Sequence, residues 1–212
     1  MANRTKYYKI LDALQELLEN RSIQSISVSE IAQKAGIGKG SIYYYFPSKD
    51  AILDALVERN YEKTLETAKA LAKQTDISPF TRMAMLFQAC RNSSLEFLKR
   101  GTGSASNATV ENIHEQSYIH QKYLRHVIGE LKPALTEIIQ QGIASGQIHF
   151  DYPAELAEIA LIVLSIKLDN TLLPSSPQEI EQTIRALISL LEKGTENPPG
   201  SLDFMTIRGS LS

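Results

Sequence analysis

The segment from about Ala154 to Leu172 sets the tightest limit on how this chain can fold. Leu156, Ala157, Ile159, Ala160, Leu161, Ile162, Val163, Leu164 and Ile166 leave almost no polar side on a helix that Asp151-Tyr152-Pro153 opens. Outside a membrane, a helix that is apolar all round must be covered all round. Its unbroken run, Ile159 to Ile166 with Ser165 inside, falls far short of the roughly 20 residues that cross a bilayer. The segment therefore belongs inside a helical bundle or against a copy of itself, and no membrane-spanning element is expected.

The rest of the chain offers helices to do the covering. Tyr7, Ile10, Leu11, Leu14, Leu17 and Leu18 recur at three- and four-residue spacing, which predicts a first helix ending near Asn20. Ser27-Val28-Ser29-Glu30 reads as a capping box that starts a short second helix burying Val28, Ile31, Ala32 and Ala35. Gly36-Ile37-Gly38 stops it, a third helix runs from Lys39 to Phe46, and Pro47 cannot continue that one. Ser48 can cap a long fourth helix. Further helices follow from Pro79, from Val110 through Ile143 with Pro133 as a kink or break, and from Pro177 to Gly194. No alternating strand pattern and no internal repeat are present, so the expected fold is all-α: about nine helices, with a three-helix head on a larger bundle. Residues 195–212, with Pro198-Pro199-Gly200, have no period and are expected to be loose.

Charge divides the chain at the same place. The formal net charge of −2 would not by itself suggest a nucleic-acid partner. Residues 1–49, however, hold seven Lys/Arg against four Asp/Glu, leaving fifteen against twenty over the remainder. A head at +3 and a body at −5 point to different partners for the two. The single cysteine excludes an intrachain disulfide, and the polar start Met1-Ala2-Asn3-Arg4-Thr5-Lys6 does not read as a secretory signal, so a cytoplasmic location is expected.

Two short helices joined by a glycine-containing turn have the geometry of a helix-turn-helix, whose second helix enters the major groove of DNA. On that second helix Ile42 and Phe46 lie four apart and face inward, leaving Lys39, Gly40, Ser41 and the run Tyr43-Tyr44-Tyr45 for the other sides. Successive residues point about 100° apart, so three adjacent tyrosines cannot all be buried. A phenol offers a ring to a thymine methyl and a hydroxyl to a phosphate, while lysine neutralises phosphate. From these residues alone, a helical hairpin with surface tyrosines or a protein-contacting module stays open.

The string Ser29-Glu30-Ile31-Ala32-Gln33-Lys34-Ala35-Gly36-Ile37-Gly38-Lys39-Gly40-Ser41-Ile42-Tyr43-Tyr44-Tyr45-Phe46-Pro47-Ser48-Lys49-Asp50 resembles the DNA-binding signature of the TetR (tetracycline-repressor-like) family, over roughly residues 5–60. The resemblance implies a homodimer that binds a palindromic double-stranded DNA operator, usually as a repressor, and leaves it when a small molecule fills the C-terminal part. Carried over residue by residue, it places Lys39, Gly40, Ser41, Tyr43 and Tyr44 at the groove. It also places Lys49, with Ser27 or Ser29, on backbone phosphate. Tyr45 stands where the family often has His. Upstream the chain departs from the family: Glu19-Asn20-Arg21-Ser22-Ile23 stands where a Gly is common, Asn being able to take the same left-handed backbone.

The implied division is a DNA-binding domain over 1–49, a ligand-binding and dimerisation domain over 50–194, and the tail. Candidate effector-binding groups are Phe87, Cys90, Arg91, Ser94, Phe97, His114, Tyr118 and Tyr123. The dimer interface is expected on Leu156, Ile159, Ala160 and Val163, with Ile184, Leu187, Ile188 and Leu191 from the last helix. His114, His120 and His126 are six apart in sequence and share no helix face, so no metal and no cofactor are expected. No nucleophile–base arrangement or glycine-rich phosphate loop marks an enzyme; a helical adaptor, or an enzyme using the C-terminal pocket, is the rival expectation.

Overall fold

The computed structural model describes the backbone of residues 2–101, 110–169 and 173–206. Those residues form eight α-helices: α1 (Ala2–Leu18), α2 (Val28–Ala35), α3 (Lys39–Tyr45), α4 (Lys49–Ala72), α5 (Pro79–Gly101), α6 (Val110–Ala144), α7 (Pro153–Asp169) and α8 (Pro177–Gly194). A single 3-10 turn follows at Asp203–Met205, and no strand occurs among the described residues. None of these helices is long and apolar enough to cross a membrane. The chain divides into two compact units, Met1–Glu62 with Leu95–His126, and Lys63–Ser94 with Val127–Ser212.

In the first unit the apolar stripes meet as their spacing requires. Ile10, Leu11 and Leu14 of α1 pack with Ile31 and Ala32 of α2, Ile42 and Phe46 at α3, and Ile52, Leu53 and Leu56 of α4. Tyr7 lies 4.9 Å from Phe46, ring centre to ring centre. The capping box forms in full: the Glu30 amide donates to the Ser27 hydroxyl at 3.2 Å, and the Ser27 amide donates to the Glu30 carboxylate at 2.8 Å. Gly36 takes φ +66°, a conformation that strains any residue with a Cβ, and from there the Ile37 amide reaches back to the Ala32 carbonyl. Ser48 caps α4 by accepting the Ala51 amide.

The α1–α2 connection differs from expectation. Helix α1 stops at Leu18, and Asn20 does not take the left-handed backbone; among the described residues other than glycine, only Glu196 does. Two cations hold the connection instead: Arg21 on the Ser25 carbonyl, and Lys49 on the carbonyls of Ile23 and Ile26.

In the second unit, Arg82 of α5 is only 2% exposed. Its guanidinium donates to Gln141 of α6 and, at 3.5 Å, to the Leu71 carbonyl, while Gln141 donates to the Ala72 carbonyl. A buried cation thereby meets the carbonyl end of α4, the negative pole of a helix, while its Nε has no hydrogen-bond partner among the described residues. Helix α6 runs unbroken past Pro133. The carbonyl that a proline deprives of its partner belongs to Gly129, an exposed residue, so water can take the bond.

The C-terminal stretch corrects the expectation of a loose tail over 195–206. Leu202 and Met205 are buried with Leu164 of α7 and Ile180, Ile184, Leu187 and Ile188 of α8. Glu192, itself buried, accepts the amides of Gly200 and Leu202 at 2.8 and 2.9 Å. An irregular segment held by one carboxylate has no period for a sequence to display.

Candidate nucleic-acid interface

Helix α3 presents two unlike faces. Ile42 is buried in the head, whereas Tyr43 is 51% and Tyr44 76% exposed. Lys39, Gly40 and the two phenols are all exposed at the surface, with Ser41 half-buried beside them. Tyr45 turns back: it is half-buried against the head core, its ring edge-on to Tyr44 at 5.1 Å. Around Gly40 a Cβ would meet no atom within 4 Å, so nothing inside the chain requires a glycine there.

The cations of the head differ in what they meet. Arg21 pairs with Glu30 at 2.6 Å, Lys34 with Glu16 at 2.7 Å, and Arg59 with Asp12 at 2.5 Å. Lys49 is half-buried with two of its three N–H groups on carbonyls, at 2.6 and 2.8 Å. Lys39, at the start of α3, has no hydrogen-bond or ion-pair partner among the described residues. Ser27 is exposed at the α2 N-terminus with its hydroxyl accepting the Glu30 amide, which leaves its own proton to donate; Ser29 is exposed two residues on. The Glu30 carboxyl is held down at about 2, mostly by the Arg21 hydrogen bond and then by Ser27.

The first turn of α4 also meets α6. The Tyr118 hydroxyl donates to Asp50, and the Lys122 ammonium bridges Asp50 at 2.9 Å and Asp54 at 2.7 Å. The Tyr118 bond holds the Asp50 carboxyl below its ordinary value, with Lys122 adding to it. Lys122 is raised, the burial that would lower it being outweighed by its two carboxylates.

Comparison with known proteins fits this arrangement at both ends of the chain. Residues 10–56 match the model of "Bacterial regulatory proteins, tetR family", and residues 103–188 match "Tetracyclin repressor-like, C-terminal domain". The chain belongs to the TetR family. The helix-turn-helix regulator YvdT of Bacillus subtilis is 39% identical over 64 residues, covering 30% of this chain and 33% of YvdT. That match, like the others of highest identity, spans a third or less of the relative. Whole-chain likeness is one of fold. The structure of SmeT, "the repressor of the Stenotrophomonas maltophilia multidrug efflux pump SmeDEF", superposes with TM-score 0.61 at 16% identity, covering 92% of each chain. That of FadR from Bacillus subtilis, solved with stearoyl-CoA, gives 0.56 at 19% identity, covering 95% of this chain and 98% of FadR.

Elsewhere in this TetR-family chain, three of the eight expected effector residues have described side chains. Of the effector candidates, Phe87 and Cys90 lie half-buried on α5, and Phe87 stands 6.4 Å from Phe204 of the C-terminal turn. Burial pushes the Cys90 thiol up to about 12, which keeps it protonated and unreactive. Tyr118 belongs to the Asp50 cluster at the head. The side chains of Arg91, Ser94, Phe97, His114 and Tyr123 lie outside the described residues.

The interface prediction needs correction. Ile184, Leu187 and Ile188 are buried in the chain's own core, and so is Leu156. The buried part of the α8 stripe, Ile180, Ile184, Leu187 and Ile188, is taken up within the chain by α7 and the C-terminal turn. Ile159 is 52% exposed, joined on α7 by Ile162, with Ala160 and Val163 half-buried; on α8 the exposed apolar residue is Leu190, at 69%, and Leu191 is half-buried.

Proposed function

We propose that the protein is an effector-responsive, DNA-binding repressor that acts in the cytoplasm as a homodimer on a palindromic operator. The observation that carries this reading is the outward face of α3. An unpartnered lysine, an unobstructed glycine and two exposed tyrosines stand on a helix whose other side is locked into the head core. Residues 1–49 are the DNA-binding domain. Lys39, Gly40 and Ser41 approach base edges and phosphate, Tyr43 and Tyr44 take phosphate or a thymine methyl, and Ser27 and Ser29 take phosphate at the α2 N-terminus.

Residues 50–194 dimerise and bind the effector. On α7 and α8, Ile159, Ile162 and Leu190 are exposed apolar residues that a two-fold partner would cover. The two copies of α3 must enter major grooves about one helical turn apart or a multiple, so a shift of a few ångström releases DNA. The Asp50–Tyr118–Lys122 cluster, from α6 onto the first turn of α4, is where a movement of α6 would be felt by the head. SmeT supports the reading as repressor and FadR, with its acyl-CoA, the reading as effector-binding; Phe87 and Cys90 are the groups we assign to the effector side.

Retardation of the duplex flanking its own gene tests the reading. Binding should be palindrome-specific and fall steeply as salt rises; no retardation at low salt overturns it.

A further inference from the structure

Lys49 is the residue in which the structure and the family pattern pull apart. We infer that Lys49 sets DNA affinity as a positioning residue, by fixing the α1–α2 connection, and does not itself bind phosphate. The inference rests on reading the head as DNA-binding.

Four observations carry it. An ammonium has three N–H donors, and here one is spent on the Ile23 carbonyl and another on the Ile26 carbonyl, 26 and 23 residues back along the chain. Both carbonyls belong to residues whose side chains are buried in the head core, so the lysine ties a fixed point of the connection to the first residue of α4. That first residue is an unfavourable place for a cation, since a helix N-terminus is its positive pole; the two carbonyls supply the negative partners the helix does not. Finally, Ile26 precedes Ser27, the cap of α2. Holding the Ile26 carbonyl therefore holds the helix end whose free amides and hydroxyls would receive a phosphate. Arg21 completes the frame from the other side, on Ser25 and on Glu30, the reciprocal member of the same cap.

Lys39 provides the internal contrast. It is exposed, unpartnered, and free to release a counterion from DNA, whereas Lys49 is half-buried and already engaged.

The test is the salt dependence of binding by the full chain to a random-sequence duplex. Lys39→Gln should lower the slope of log K against log salt by about one unit, as losing one phosphate contact does. Lys49→Gln should leave the slope unchanged and weaken binding about three- to tenfold at every salt concentration. In the free protein it should also speed amide exchange at Ser25 to Glu30. A slope lowered by about one unit for Lys49→Gln, or an affinity equal to wild type, overturns the inference while leaving the DNA reading intact. A wild-type chain that binds no duplex removes both. Should Lys49→Gln fail to fold, the ammonium signals of the wild-type protein decide. Titration with duplex should move that of Lys39 and leave that of Lys49 in place, and a Lys49 signal that moves as far as that of Lys39 overturns the proposal.

Discussion

The head and the body each leave side chains uncovered, and they leave different kinds. On α3 the residues left over are phenols and a lysine, which combine apolar area with groups able to meet phosphate. On α7 and α8 they are Ile159, Ile162 and Leu190, which can do nothing but exclude water. The chemistry of each set suits a different partner: a polyanion in one case, a second apolar surface in the other. The two associations should therefore respond differently to salt, DNA binding weakening steeply and dimerisation hardly changing.

The sharpest way to break this contrast is at α7. Ile159→Asp with Ile162→Asp should give a folded monomer by sedimentation, and operator affinity should drop by about a hundredfold or more. Two tethered heads raise each other's effective concentration, and that gain vanishes with the dimer. A double variant that stays dimeric would return these residues to ordinary surface. Next in size, Tyr43→Ala should weaken binding about tenfold on every sequence tried, the worth of one charge-assisted hydrogen bond of about 1.5 kcal/mol. A variant with wild-type affinity would take Tyr43 off the contact surface.

Gly40→Ala separates folding from binding more finely. In an exposed helix position alanine stabilises by about 0.5–1 kcal/mol over glycine, and no atom of the chain obstructs the new Cβ. Thermal unfolding should therefore rise by a few degrees while operator binding falls, because the methyl group intrudes where DNA approaches. Binding that improves along with stability would mean that α3 does not enter a groove at this residue.

How far the sequence could be read also divides between the regions. The head was legible because its devices are local. The capping box at Ser27 and Glu30, the stop at Gly36 and the break at Pro47 each act within a few residues, and the structure places α2 and α3 within a residue of the bounds they predict. What escaped was carried by contacts distant along the chain. Lys49 reaches back 23 and 26 residues to carbonyls, which have no side-chain identity to read. Glu192 holds a turn with no periodicity, and Arg82 finds a helix end in place of a carboxylate. The interface error on α8 has a related cause: an amphipathic stripe tells that one face is buried, not whether a neighbour in the same chain or a second copy buries it.

The two capping boxes offer the smallest and most exacting test of the difference. Glu30 in the head and Glu179 in α8 both reach back to the amide of their N-cap serine, and both carboxyls are lowered. Only Glu30 also faces an arginine, and it falls to about 2. A carboxyl lowered by folding contributes stability that is fully present above its unfolded value near 4.5 and fades as pH falls through the folded one. The Glu30 contribution should thus decline between pH 4.5 and about 2. Carboxyl NMR titration should find Glu30 still ionised at the pH where ordinary glutamates are half-protonated. Arg21→Gln should raise the Glu30 midpoint toward that of Glu179 and leave Glu179 where it is. If Glu30 titrates with Glu179 before the substitution, Arg21 does not hold the connection, and the frame around the α2 N-terminus depends on Lys49 alone.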